Sequence, residues 1–157
     1  MPAYLFDTNH ISEWERRNTV LMNRLRREPV ENFVFVCPIA LSEIEHGLRN
    51  SLTPDLAQQR ACREFIAREA TEHVVDIGPS IQTSYAAVLG TILTKYPMPT
   101  TGHSTTQKHL TDIRVDVNDI WIASVALEHD FILLTNDKME VIKECATGIL
   151  RFDNWLV

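Results

Sequence analysis

Short apolar runs alternate with longer polar or amphipathic stretches along the whole chain. The runs are rich in Val, Ile, Leu and Phe, and they occupy 4–6, 32–38, 73–77, 131–135 and 148–152. Continuous apolar runs of this length are typical of strands that are buried on both faces of a sheet. The pattern therefore predicts five buried strands.

Helical sequence fills most of the intervals between these runs. Residues 10–27 are polar and amphipathic, and we expect a helix there that is broken near Asn18. Pro38 and Pro54 each suit the first turn of a following helix. Further helices are predicted at 79–96, 116–130 and 136–146. Strands that alternate with helices predict an α/β fold with a central parallel sheet and helices on both faces.

One segment, 97–112, is rich in Thr, Pro and Ser, and it is predicted to be a loop or lid. Too little chain follows it to form a second domain. With 157 residues, of which 45% are hydrophobic, the chain is predicted to form a single domain spanning 1–157.

The net charge of −6 argues against a generally basic protein that coats nucleic acids. The arginines between 16 and 27 are candidates for a local basic patch, and a solvated helix face explains them equally well. Three widely spaced cysteines predict neither a disulfide framework nor a zinc cluster. No leader or membrane-length apolar run is evident, so we expect a reduced, cytoplasmic protein.

Acidic residues recur where predicted strands and helices join. Asp7 follows the first strand, Glu43 lies about one turn into the helix after Pro38, Asp119 begins a helix, and Asp137 follows the strand at 131–135. In parallel sheets, chemistry gathers beyond the carboxyl ends of the strands. Taken singly, each aspartate is explained better as a helix cap.

Taken together, these acids indicate a cation site. Carboxylates that share a cleft repel one another, and a divalent cation removes that repulsion. Oxygen ligands suit Mg²⁺ or Mn²⁺, whereas zinc prefers histidine or cysteine. A carboxylate-held cation of this kind commonly serves phosphodiester or phosphoryl hydrolysis.

Four segments in order, "LFDTN", "LSEIEHG", "NDIWIASVALEHDFILLTNDK" and "GILRFDNW", resemble the PIN-domain ribonucleases, and most of all the VapC-type toxins of toxin–antitoxin pairs. The resemblance implies a three-layer α/β/α sandwich with an acidic pocket for Mg²⁺ or Mn²⁺. It implies an endoribonuclease that hydrolyses RNA by way of an activated water and leaves a 5′-phosphate and a 3′-hydroxyl. An antitoxin that docks on residues 12–27 and a homodimer are implied as well.

The resemblance also assigns residues. The catalytic and metal-binding acids it implies are Asp7, Glu43, Asp119 and Asp137, with Asp116 as either an extra ligand or only a helix cap. Supporting or substrate-positioning groups, which turn and cap roles would also explain, are Thr8, Asn9, Asn118, Thr135 and Asn136.

Two other functions compete with this interpretation. "LFDTN" is also similar to the first motif of haloacid-dehalogenase-type phosphatases, but Asn9 stands where those enzymes need a second carboxylate. A non-catalytic PIN-like scaffold that binds RNA or protein is the other alternative, and the presence of all four acids counts against it. Among the histidines, His103 and His109 are interpreted as solvated loop residues and His10 as a helix-surface residue.

Overall fold

The computed structural model describes residues 2–27, 33–100, 105–136 and 139–157. Four parallel strands form one sheet: β1 (Tyr4–Phe6), β2 (Val34–Val36), β3 (Ile132–Leu134) and β4 (Arg151–Asp153). Their order across the sheet is β2-β1-β3-β4. Every crossover between parallel strands requires a long connection, which explains the helices between them.

Helices flank this sheet. They are α1 (Thr8–Glu15), α2 (Thr19–Arg27), α3 (Pro38–Arg49), α4 (Leu56–Arg68), α5 (Ile81–Lys95), α6 (Thr106–Asp112), α7 (Val117–Glu128) and α8 (Glu140–Ala146), with a 3₁₀ turn at Ala70–His73. Helices α5, α7 and α8 pack together, and α3 packs against both α1 and α7. The predicted fold class, a central parallel sheet between helices, is confirmed.

The core lies on the two central strands. Leu5, Phe6, Leu133 and Leu134 are fully buried, as the continuous apolar runs predicted. The indole ring of Trp155 packs against two aromatic rings of β1, with its centroid 4.5 Å from that of Tyr4 and 6.2 Å from that of Phe6. The C-terminal segment after β4 is thereby anchored on β1, which matters for the site below.

The predicted break near Asn18 is confirmed. Arg17 adopts a left-handed φ of 56°, which ends α1. The side-chain oxygen of Asn18 then accepts hydrogen bonds from the backbone N–H groups of Val20 (3.0 Å) and Leu21 (3.3 Å). This is N-capping of α2 by a residue type that favours the position.

The predicted strand at 73–77 is wrong. Only Val74 forms a parallel bridge, to Val36, and the Val75 N–H donates to the Val36 carbonyl at 3.0 Å. The segment has the composition of a strand, but Gly78 and a second turn follow at once, and no further ladder forms beyond β2. It extends the sheet edge by a single bridge.

The prediction that 97–112 is only a loop is also wrong, because its second half forms α6. Thr105 caps this helix, and its hydroxyl accepts a hydrogen bond from the Lys108 N–H at 3.2 Å. His109, expected to be solvated, is buried, and its Nε2 lies 2.8 Å from the Tyr96 carbonyl oxygen. His103 lies outside the described residues. No helix among those residues is long and apolar enough to cross a membrane.

Candidate metal centre

Asp7 stands at the end of central strand β1. Its backbone N–H donates to the Leu134 carbonyl at 3.1 Å, so the residue still belongs to the ladder between β1 and β3. Its side chain caps α1, because Oδ1 accepts a hydrogen bond from the His10 backbone N–H at 2.7 Å. The residue is only 2% exposed. Capping therefore explains one role of Asp7. It does not exclude a second role for this buried carboxylate, which lies where the C-terminal ends of the parallel strands meet.

His10 is the main residue that sequence reasoning misjudged. It is fully buried, not on the helix surface, and its Nδ1 lies 2.8 Å from Asp7 Oδ1. Its other nitrogen, Nε2, accepts a hydrogen bond from the Trp155 backbone N–H at 3.3 Å. A histidine three residues after a capping aspartate was the available signal, but the partner 145 residues away could not be read from the chain.

Glu43 joins two other elements of the site. It lies on α3, which begins at Pro38 directly after β2. The hydroxyl of Thr8, the residue after Asp7, donates to Glu43 Oε2. The side-chain amide of Asn118, the residue before Asp119, donates to Glu43 Oε1 at 3.0 Å. Segments that are 35 and 75 residues from Glu43 along the chain therefore meet at its carboxylate.

The two acids at the start of α7 differ in their surroundings. Asp116 is exposed and caps the helix, since its Oδ1 accepts from the Asn118 backbone N–H at 2.8 Å. Asp119 is half-buried in the first turn of the same helix. The structure therefore gives Asp116 the capping role, and a ligand role for either residue stays a prediction.

A second set of polar groups lies beyond β3. Thr135 is fully buried, and its hydroxyl donates to the Asn136 carbonyl at 2.9 Å. The Asn9 side-chain amide donates to the side-chain oxygen of Asn136 at 3.1 Å, which links the residues after β1 to those after β3. Lys143 also donates to the Asn136 carbonyl, at 3.2 Å. Asp137 lies outside the described residues.

Cys37, the residue directly after β2, lies close enough to Glu43 for the carboxylate to affect the pKa of its thiol. The pKa of the Cys37 thiol is raised to about 11, mainly by burial and to a smaller extent by the neighbouring Glu43 carboxylate. Backbone N–H groups at the start of α3 act in the opposite direction. Cys37 is therefore a buried thiol under ordinary conditions, and we assign it no part in the chemistry.

The donor set at this edge consists of carboxylate, hydroxyl and amide oxygens. Such hard oxygen ligands fit Mg²⁺ or Mn²⁺ and do not suit zinc. Across 2–27, 33–100, 105–136 and 139–157, no three His, Cys, Asp or Glu side chains cluster closely enough to hold a metal ion. Each Glu43 oxygen accepts one of these hydrogen bonds and keeps a further lone pair with which it could bind a cation.

The fold of this chain is similar to that of known proteins. Several solved structures, among them the three that follow, match the fold over nearly all of both chains. One is VapBC2 from Rickettsia felis bound to a promoter DNA fragment, which is 20% identical, covers 98% of each chain and has a TM-score of 0.68. VapBC-1 from nontypeable Haemophilus influenzae is 20% identical, with 99% of each chain covered and a TM-score of 0.66. DNA-bound VapBC from Salmonella typhimurium is 18% identical, with 99% of each chain covered and a TM-score of 0.69.

At these identities the likeness concerns the fold. No curated protein sequence matches the chain. The family model of the PIN domain, however, matches residues 4–146, which include β1, α3, α7 and β3. The chain belongs to the PIN domain family.

Proposed function

We propose that this protein is a Mg²⁺- or Mn²⁺-dependent endoribonuclease and the toxin component of a toxin–antitoxin pair. The observation that carries the proposal is the position of Glu43, whose two carboxylate oxygens accept hydrogen bonds from Thr8 and Asn118. Those contacts draw the neighbours of Asp7 and Asp119 to one edge of the parallel sheet. Membership of a nuclease family supports the same chemistry.

In this proposal the cation is held by Asp7, Glu43 and Asp119, with Asp137 as a fourth candidate and Asp116 as a possible addition. A bound cation lowers the pKa of water and stabilises negative charge on the phosphate and on the leaving oxygen. The carboxylates act as anchors for charge, and none of them has to become a covalent nucleophile. Hydrolysis would leave a 5′-phosphate and a 3′-hydroxyl.

Neutral side chains complete the proposed site. Thr8 and Asn118 fix the orientation of Glu43, so its charge is already in place before substrate arrives. Asn9 and Asn136 form a linked amide pair beside the acids. Amides of this kind can exchange their mutual hydrogen bond for bonds to phosphate or ribose oxygens, and we propose that they position the RNA.

The phosphatase alternative loses support from the same pair. Asn9 occupies the position of the second carboxylate that a haloacid-dehalogenase mechanism requires, and it is hydrogen-bonded to Asn136. The alternative of a non-catalytic scaffold is decided by the experiment below. The partners that we propose are an RNA substrate, a cognate antitoxin protein that contacts residues 12–27, and a second copy of the chain. The likeness to VapBC structures, two of them bound to DNA, supports the antitoxin partner.

The test is cleavage of a mixed RNA pool by antitoxin-free protein in Mg²⁺, Mn²⁺ or EDTA. We expect cation-dependent cleavage by the wild type and none by Asp7→Asn or Glu43→Gln. Glu45→Gln is the matched control, because Glu45 lies on the same helix and pairs with Arg49 and Arg63. This control should cleave like the wild type.

Cleavage that persists in EDTA or in Asp7→Asn would contradict the proposal. If the folded wild type cleaves nothing in any cation yet retains RNA on a filter, the scaffold function is favoured.

A further inference from the structure

The side chain of His10 makes polar contacts that a ring needed only to fill the core would not make. It is fully buried, and both of its ring nitrogens have a hydrogen-bond partner, Asp7 on one side and the Trp155 backbone on the other. Its ring also packs against Phe6, with the centroids 5.7 Å apart. Apolar packing would be satisfied equally well by a phenyl ring, so the two polar contacts need a separate explanation.

The partners determine which nitrogen carries the proton. A backbone N–H can only donate, so His10 Nε2 must accept from Trp155 and holds a lone pair. The proton of the neutral ring is then on Nδ1, which donates to Asp7 Oδ1 at 2.8 Å. The C-terminal segment thus selects the tautomer that donates to the acid at the end of β1.

The consequence for Asp7 is an uneven use of its two oxygens. Oδ1 accepts two hydrogen bonds from His10, one from the backbone N–H at 2.7 Å and one from the ring. Both bonds end on Oδ1, and neither of them involves Oδ2. Carboxylates that ligate metals are commonly held in this way by a hydrogen bond from a neighbouring group.

We propose that His10 is the positioning residue of the cation site. It holds Asp7 Oδ1 so that Oδ2 is directed to the cation, and the Trp155 backbone N–H keeps its ring in the donating tautomer. This inference rests on the proposed function, because it assumes that Asp7 binds a cation. It adds that the C-terminal segment, which follows β4 at the opposite end of the sheet order from β2, contributes to that binding through a single histidine.

Three substitutions separate positioning from packing. His10→Asn places an amide donor near the position of Nδ1 and should keep the bond to Asp7. His10→Gln carries its amide farther from the backbone, near the position of Nε2, and should keep only the contact with Trp155. His10→Phe keeps the aromatic volume and loses both contacts.

The probe is Mn²⁺, with its free concentration measured by electron paramagnetic resonance during titration of the metal-free proteins. We expect the dissociation constant for Mn²⁺ to rise about 10- to 100-fold in His10→Phe and His10→Gln. His10→Asn should stay within about threefold of the wild type, because it restores the donor. Thermal melting of the same samples reports stability separately, so a loss of affinity at an unchanged folded fraction is not a packing effect.

Equal Mn²⁺ affinity in the wild type, His10→Phe and His10→Gln would overturn the inference and leave the proposed nuclease intact. Absence of Mn²⁺ binding by the wild type would instead contradict the proposed function and, with it, this inference. If His10→Phe fails to fold, the comparison of His10→Asn with His10→Gln still decides the question. A nitrogen-15 spectrum of the metal-free wild type should show His10 protonated at Nδ1, and protonation at Nε2 alone would refute the tautomer.

Discussion

Replacement of Asp7 by asparagine or by alanine separates its structural role from its electrostatic role. Asparagine keeps an oxygen at Oδ1, so it can still cap α1 and accept both hydrogen bonds from His10. It loses only the negative charge. Alanine loses the charge and both hydrogen bonds. The two variants should therefore be alike in metal-dependent cleavage, which both abolish, and unlike in stability.

The magnitudes follow from the contacts. Asparagine and aspartate are similar N-caps, so Asp7→Asn should change the free energy of unfolding of the metal-free protein by less than about 0.5 kcal/mol. Relief of repulsion among the acids acts in the stabilising direction. Asp7→Ala loses a cap, at about 1 kcal/mol, and leaves the buried Nδ1–H of His10 without its acceptor, at about 1–3 kcal/mol. Together these losses are about 2–4 kcal/mol.

Urea unfolding in EDTA, followed by tryptophan fluorescence, measures this difference. With a denaturant slope of about 2 kcal/mol per molar, the midpoint of Asp7→Ala should fall by about 1–2 M, and that of Asp7→Asn should hardly change. A large destabilisation in Asp7→Asn would refute the reasoning, because it would mean that the fold itself needs the charge. Equal, small effects in both variants would show that the bonds to His10 contribute little.

Three further predictions concern other parts of the structure. Thr8→Val removes the hydroxyl that donates to Glu43 and should lower the cleavage rate about 10-fold or more, whereas Thr8→Ser should retain activity. Phe6→Ala should lower the unfolding free energy by about 3–5 kcal/mol in chemical denaturation, because this side chain is fully buried. Cys37 has a pKa of about 11, so only about 0.1% is thiolate at pH 8, and iodoacetamide should label it only in urea. Rapid native labelling of Cys37, detected by mass spectrometry, would contradict that assignment.

The sheet could be predicted from the sequence because its strands are buried on both faces. The only polar side-chain groups in the runs at 4–6 and 131–135 are the hydroxyls of Tyr4 and Thr135, and Leu5 and Leu133 within these runs are fully buried. The run at 73–77 also contains Val and Ile, but it includes His73 and Asp76, and only Val74 forms a bridge to a partner strand. Whether an apolar run at a sheet edge continues the ladder depends on the chain that follows, which composition does not report.

Helix α6 shows the opposite error. Its sequence is polar and rich in threonine, which is typical of a loop. The helix is stabilised by contacts that periodicity does not reveal: the Thr105 cap, the bond between His109 and the Tyr96 carbonyl, and the burial of Leu110. An ion pair from Lys108 to the residue four positions later adds a smaller effect.

For the candidate site, the order of strands and acidic residues along the chain predicted which residues lie at the site. It did not predict the hydrogen-bond partners of those residues. The positions of Asp7 and Glu43 follow from the rule that loops after parallel strands meet at one edge. The bonds that Glu43 receives from Thr8 and Asn118 agree with that rule. The burial of His10 did not follow from any pattern, because its second partner is the backbone of a residue at the other end of the chain.

Anomalous X-ray scattering from crystals soaked in Mn²⁺ tests the central claim most directly. The account predicts a manganese peak beyond the ends of β1 and β3, with carboxylate oxygens of Asp7 and Asp119 about 2.1–2.2 Å from it. The same soak of Asp7→Asn crystals should show no peak there. A wild-type crystal that is saturated with Mn²⁺ but has no peak at this edge, or a peak that Asp7→Asn leaves unchanged, would contradict the account.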